Sequence, residues 1–197
     1  LHNMRTIRAF DSFDKQKRIA KETMEIYAPL ADRMGMNSIR DELEDLSFDV
    51  LNNDARTLIQ DRLKFIKNNR DDNFKVISTE LINLLQENGV STKITGREKT
   101  PFSIWRKMQS KKISLEQLTD IVGFRIILDN IEDCYKTLGI LHSKYSAVPG
   151  KFKDYISTPK INKYKSIHTS IIGPQKQRIE IQIRTNQMNE FAERGIA

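Results

Sequence analysis

The stretch that decides the fold is Pro149–Thr185, PGKFKDYISTPKINKYKSIHTSIIGPQKQRIEIQIRT. Ser166 to Ile172 and Arg178 to Arg184 alternate at period two, and Gly173-Pro174 between them marks a turn, so the pair predicts a β-hairpin. In the second arm Ile179, Ile181 and Ile183 share one face, and Glu180, Gln182 and Arg184 share the other. The isoleucines can bury and leave the polar row over a cleft; from pattern alone, that row reads first as a solvent-facing surface. Ahead of the hairpin the loop holds Lys151, Lys153 and one acid, Asp154, and then an aromatic flanked by bases: Lys160, Lys163, Tyr164 and Lys165. Cations attract phosphate, a tyrosine ring can stack on a base, and an acid on a strand can hold a divalent metal. Together these features suggest a nucleotide site.

Working outward, Ile121 to Leu128 is apolar and β-branched and predicts a buried strand, with Arg125 in its middle and Asp120 just before it. A charge inside VGFRIIL needs a partner or a ligand if that strand is buried. Ile131 to Tyr145 reads as a helix, with Leu138, Leu141, His142 and Tyr145 near one face; His142 and Cys134 read as structural. Pro101 to Gln109 begins a helix at a proline, an accepted first position, and Val90 to Ile94 reads as a short strand. Asn186 to Arg194 predicts a last helix. Before Gly89 the pattern is helical throughout. Ile19, Thr23, Ile26, Tyr27, Leu30 and Met34 form one stripe stopped by Gly35, and Ile39, Leu43, Leu46 and Val50 a second. Leu58, Ile59, Leu63 and Ile66 form a third, closing near Asn68–Arg70. Ile77, Leu81, Leu84 and Leu85 form a fourth, ended by Asn88-Gly89. Four amphipathic helices are expected to pack on one another. Helices first, then interleaved strands and helices, give α/β or α+β.

The charge is unevenly placed. Up to Asn88 there are 14 Lys and Arg against 16 Asp and Glu; from Gly89 there are 19 against 10, which yields the overall +7. A net excess of nine bases in the second half points to a polyanion, and both nucleotide phosphates and an RNA backbone qualify. No apolar run approaches the length of a membrane span. A single cysteine, Cys134, precludes an internal disulfide and suits a reducing cytoplasm. The chain opens on Leu1 rather than Met and reads as a piece of something longer.

FKDYISTPK, NKYKSIHTSIIGP and IEIQIRT, preceded in order by ITGREKTPFSIWRKM and LTDIVGFRIILD, resemble the synthetase domain of the RelA/SpoT-type family. That resemblance implies an α+β fold: an N-terminal helical bundle followed by a nucleotidyltransferase-like mixed β-sheet flanked by helices. It also implies a remnant of a preceding hydrolase domain over 1–12, a helical linker bundle over 13–89 and the synthetase domain over 90–197. The hydrolase's metal ligands would lie before Leu1, so hydrolysis is not expected. The implied activity is transfer of pyrophosphate from ATP to the 3′-hydroxyl of GDP or GTP, with AMP released and Mg²⁺ as cofactor. A nucleotide- or RNA-binding regulatory fragment with weak turnover is the alternative.

Residue by residue, the resemblance makes Asp120 and Glu180 metal ligands and catalytic, with Glu180 as the base. Lys107 is the third catalytic residue, and Arg97, Lys99, Ser103, Lys107 and Arg125 bind ATP, with Arg97 and Arg125 around the adenine. Lys153, Asp154, Lys160, Tyr164, His168 and Gln182 bind GDP or GTP, with Tyr164 stacked on guanine. The structural readings stand beside these: a solvated basic face for the residues of GREKTPFSIWRKM, and a half-buried strand tyrosine for Tyr164. Lys151-Phe-Lys153-Asp154 replaces the family's usual RFKD. Lys163 stands where the family usually has glycine, a substitution that strains the chain if the turn needs positive φ. Ribosome, RNA or regulatory-domain contacts are implied for the full-length protein, and a membrane is not.

Overall fold

The computed structural model describes residues 1–68, 71–115 and 122–194. Contacts divide the chain into two compact units, one of Leu1–Ile66, Thr100–Leu118 and Ala192–Ala197, the other of Lys67–Lys99 and Thr119–Phe191.

The first unit is helical. It holds α1 (His2–Arg5), a 3₁₀ turn (Ile7–Ala9), α2 (Phe13–Glu22), α3 (Ala28–Arg33), α4 (Asn37–Leu51), α5 (Asn53–Asn68) and α7 (Pro101–Lys111). Ser12 caps α2, its hydroxyl accepting from the Lys15 N–H. Between α2 and α3 the helix continues through a π turn, Thr23–Tyr27. Pro29 follows it; a proline there has no N–H for the carbonyl four residues back and crowds that turn, which the wider π geometry relieves. The π turn also rotates the stripe expected from Ile19 to Met34. Ala20, Thr23, Ala28 and Ala31 are the buried residues, while Ile26, Tyr27, Leu30 and Met34 are exposed. Small residues face the core here, beside Met4, Ile7, Leu43 and Val50. On α5 only part of the expected stripe holds: Ile59 is buried and Leu58 exposed. Phe48 of α4 packs on Phe102 and Trp105 of α7, with ring centroids 5.6 and 5.2 Å away.

The second unit is a mixed sheet covered by helices: α6 (Asp71–Glu87), β1 (Lys93–Glu98), β2 (Val122–Leu128), α8 (Ile131–Lys144), β3 (Ser146–Ala147), β4 (Lys153–Asp154), β5 (Ile167–Ile172) and β6 (Arg178–Thr185), with α9 (Asn186–Arg194) following. The strand order is β1-β2-β6-β5-β3, with β4 also on β5. β2 and β6 run parallel and the other pairs antiparallel. The predicted hairpin is β5–β6. Its Gly173 is required by a close approach, since a Cβ there would lie 2.4 Å from Cδ1 of Ile179.

Helix α6 departs from the expected bundle. Its Ile77, Leu81 and Leu85 join Phe124, Ile126, Leu128 and the strand isoleucines in one core, so the fourth stripe meets a sheet rather than other helices. The strand expected from Val90 begins instead at Lys93. Val90 belongs to the end of α6: Gly89, at φ +71°, donates to the Gln86 carbonyl and Val90 donates to that of Leu85, and the Val90 side chain is buried. This is the glycine-terminated helix end in which the residue after the glycine packs back on the last turn. No described helix is long and apolar enough to cross a membrane.

Candidate nucleotide site on the polar face of the sheet

Strand alternation sends Ile179, Ile181 and Ile183 into the core together with Ile167, Ile171, Phe124 and Ile126. The opposite parity makes the other face polar. Register places Thr95, Arg125, Gln182, His168 and Lys153 in one row across β1, β2, β6, β5 and β4. The adjacent row is Arg97, Gly123, Glu180 and Ser170. Four strands thus bring together Arg125, Gln182, His168 and Lys153, with Glu180 one row away. The row on β6 sinks as it runs: Glu180 is part-exposed, whereas Gln182 and Arg184 are 5% and 1% exposed. The even polar edge expected over a cleft is therefore a mostly buried one. Gln182 lies between Arg125 and His168 in its row.

Glu180 is the one acid among the described strand positions of this face. Its Oε2 accepts from Lys99 Nζ at 2.7 Å, with the two side chains 14% and 25% exposed for lysine and glutamate respectively. Asp120 lies outside the described residues, as does the side chain of Arg97. Among the described residues no group of three or more His, Cys, Asp or Glu side chains could cage a metal. Magnesium does not need one, since it takes one or two carboxylates and completes its shell with substrate phosphates and water. The Glu180 carboxylate, a hard oxygen donor, fits that role.

A second cluster forms where the loop enters β5. The Tyr164 hydroxyl hydrogen-bonds His168 Nε2 at 2.9 Å. Tyr155 meets the His168 ring edge-on at a centroid distance of 5.2 Å and Tyr164 at 6.1 Å. Lys160 Nζ sits over both tyrosines, 5.1 and 5.2 Å from their centroids. Tyr164 is 9% exposed. The turn before it is closed by its own backbone: Lys163 N–H donates to the Lys160 carbonyl, Lys160 N–H to that of Tyr164, and Tyr164 N–H to Asn162 Oδ1. Lys163 takes φ +58°, so the position does require the left-handed conformation. Tyr155 was not singled out by sequence reasoning; its signal was an aromatic directly after Lys153-Asp154 in a basic loop.

Asp154 is committed to its own loop. Its Oδ1 accepts from the N–H groups of Ile156 and Ser157 at 2.9 and 3.0 Å, and its Oδ2 from the Tyr135 hydroxyl at 3.0 Å. Burial works to raise the acid's pKa, but the hydrogen bonds from Ser157, Tyr135 and Ile156 outweigh it and hold the carboxyl below its ordinary range. Ser103 and Lys107 share a face of α7 in the other unit. Thr100 caps that helix, its hydroxyl accepting from the Ser103 N–H at 3.2 Å, and the Ser103 hydroxyl returns to the Thr100 carbonyl at 2.9 Å. His142 and Cys134 take the structural parts expected of them: Cys134 is buried, and His142 Nε2 bonds Thr169 Oγ1 at 2.8 Å on the core side of β5.

A mixed sheet with one face given to helices, and the other to cations around the Glu180 carboxylate, places this chain in the nucleotidyltransferase-like class of folds. A family model described as a region found in RelA/SpoT proteins matches residues 96–197, and the chain belongs to that family. An HD-domain model matches residues 1–37. Over all 197 residues the chain is 52% identical to the GTP pyrophosphokinase rsh of Brucella melitensis, covering 26% of that protein. It is 43% identical over 196 residues to the bifunctional (p)ppGpp synthase/hydrolase SpoT of Escherichia coli K12, covering 28% of it. The chain thus spans about a quarter of the length of these relatives. Among solved structures it resembles the small alarmone synthetase 1 of Bacillus subtilis bound to its product pppGpp, with a TM-score of 0.51 and 26% identity over 68% of this chain and 78% of that one.

Proposed function

We propose that this chain transfers a pyrophosphoryl group from ATP to the 3′-oxygen of GDP or GTP. The observation that carries the reading is Glu180, part-exposed and the one acid among the described strand positions of a polar sheet face, one row from Arg125, Gln182 and His168. Family membership and the product-bound synthetase with the same fold support it. The 3′-oxygen attacks the β-phosphorus, the bond from that phosphorus to the oxygen bridging it to the α-phosphorus breaks, and AMP leaves with that oxygen. Positioning and charge stabilisation carry most of such a reaction. Glu180 accepts the hydroxyl's hydrogen bond and then its proton. Lys99 and Lys107 neutralise charge on the transferred and leaving phosphates, and Ser103 helps to hold the chain of phosphates. Arg97 and Arg125 hold the adenine, since guanidinium planes stack and stay charged. Tyr164 holds the guanine, with His168, Gln182, Lys153 and Lys160 about the acceptor nucleotide, and Asp154 shapes the loop that carries them. Magnesium, held by Glu180 and Asp120, would supply charge neutralisation on the ATP phosphates. The cytoplasm, reducing and nucleotide-rich, suits a chain whose one thiol is buried.

The test is product chemistry. Labelled ATP, GDP and Mg²⁺ should yield ppGpp and AMP, and Glu180→Gln or Asp120→Asn should abolish both products in proteins that still fold. Nucleotide binding without turnover in the unsubstituted protein would instead make it a regulatory binding module.

A further inference from the structure

The ion pair between Lys99 and Glu180 joins two groups with different assignments. Lys99 follows β1 and Glu180 lies in β6, with β2 between them. The strands it bridges are therefore two spacings of about 4.8 Å apart. The residue of β2 in Glu180's row is Gly123, so no side chain stands there between them. The ammonium reaches the carboxylate at 2.7 Å, the length of a charge-assisted hydrogen bond.

We propose that this pair is a latch operated by the donor nucleotide. With no triphosphate bound, Lys99 occupies the oxygen of Glu180 that the acceptor's 3′-hydroxyl needs. A triphosphate carries several negative charges on closely spaced oxygens, and the ammonium moves to the larger charge. The carboxylate is then released to accept the hydroxyl. Lys99 is in this sense a positioning residue as well as a phosphate ligand: it makes activation of the acceptor conditional on the donor, and so couples two binding sites by a free energy that must act in both directions. No covalent bond is made or broken in the switch; the ammonium leaves the Glu180 oxygen for the phosphates.

The inference rests on the pyrophosphate-transfer reading of Glu180, and the experiment separates the two. GDP and 3′-deoxy-GDP, which lacks the hydroxyl, are titrated calorimetrically into the wild-type protein and into Lys99→Met, with and without a non-hydrolysable ATP analogue at saturation. In the wild type the analogue should tighten GDP by about tenfold, the lower end of what a hydrogen bond to a charged group contributes, and leave 3′-deoxy-GDP unchanged. In Lys99→Met GDP should bind at the tighter level without the analogue, and the analogue should add nothing. The latch is overturned if both guanine nucleotides respond alike, if the wild type shows no coupling, or if coupling survives in Lys99→Met. Failure of the underlying reading would show separately, as wild-type protein that forms no ppGpp or a Glu180→Gln variant that retains full synthesis.

Discussion

Lys163 is one of three described lysines, with Lys112 and Lys176, that hold the left-handed conformation. It holds φ +58° because the Lys160–Tyr164 turn closes on its own backbone, with Asn162 Oδ1 taking the Tyr164 N–H. The left-handed region costs an ordinary L-residue about 1–2 kcal/mol. Glycine avoids that cost but brings about 0.5–1 kcal/mol of extra freedom to the unfolded chain. The first term is the larger, so Lys163→Gly should raise stability by up to about 1 kcal/mol, and Lys163→Val, β-branched, should lower it. Chemical denaturation of the three proteins measures this. A Lys163→Gly protein less stable than the parent would mean that the lysine side chain contributes more than its backbone strain costs. The neighbouring Tyr164 ring, fixed by His168 and overlain by Lys160, should keep its place in the glycine variant because its own contacts do not involve residue 163.

At the scale of elements, α6 and α5 show how one stripe pattern serves two different surroundings. Both carry apolar residues at helical spacing, yet Leu81 of α6 is fully buried against the sheet core and Leu58 of α5 is 69% exposed. Leu81→Ala should therefore cost about 2–5 kcal/mol through lost burial and a residual cavity. Leu58→Ala, which removes no buried contact, should stay within about 0.5 kcal/mol. Urea melts of the two variants against the parent decide it; equal losses would contradict the packing of α6 on the sheet. The hairpin and α7 were legible in advance because their signals are local: Gly173-Pro174 at the turn, and Pro101 at a helix start. The start of β1 was not. Val90 has a strand former's side chain, but the hydrogen bond from its N–H to Leu85 makes it the last contact of a helix end. The exposed Ile26, Tyr27, Leu30 and Met34 were missed for a related reason: a π turn changes the angle per residue on which the stripe was drawn.

Across the whole molecule, charge is unevenly distributed along the chain. The helical unit pairs its bases with acids, as in Arg5 with Glu42, Arg8 with Asp49 and Arg56 with Asp45, each at 2.6 Å. From Gly89 onward, 19 bases face only 10 acids, so they cannot all be paired in this way. Exposed ion pairs contribute about 0–1 kcal/mol each, and salt screens them as it screens phosphate binding. Raising salt from about 50 to 200 mM only roughly halves the screening length, but the effect on a multiply charged ligand accumulates over every contact. Affinity for a non-hydrolysable ATP analogue should thus fall several-fold over that range, while the thermal midpoint of the unliganded protein moves little. An affinity indifferent to salt would remove the basic half of the chain from phosphate binding.

What the sequence by itself determined is local and periodic. It set the hairpin, the helices, the alternation that buries Ile179, Ile181 and Ile183, the uneven charge and the motifs of the family. The left-handed turn at Lys163 was foreseeable from the missing glycine. What only the tertiary structure decided is register and partnership. No spacing in the sequence says that Arg125 stands beside Gln182, that Gln182 stands beside His168, or that Lys99 reaches past Gly123 to Glu180. Nor does it say that Asp154 is committed to Ile156, Ser157 and Tyr135. These depend on which strands pair and in which register, and pairing is set by burial of the whole apolar face at once, a sum over residues far apart in the chain.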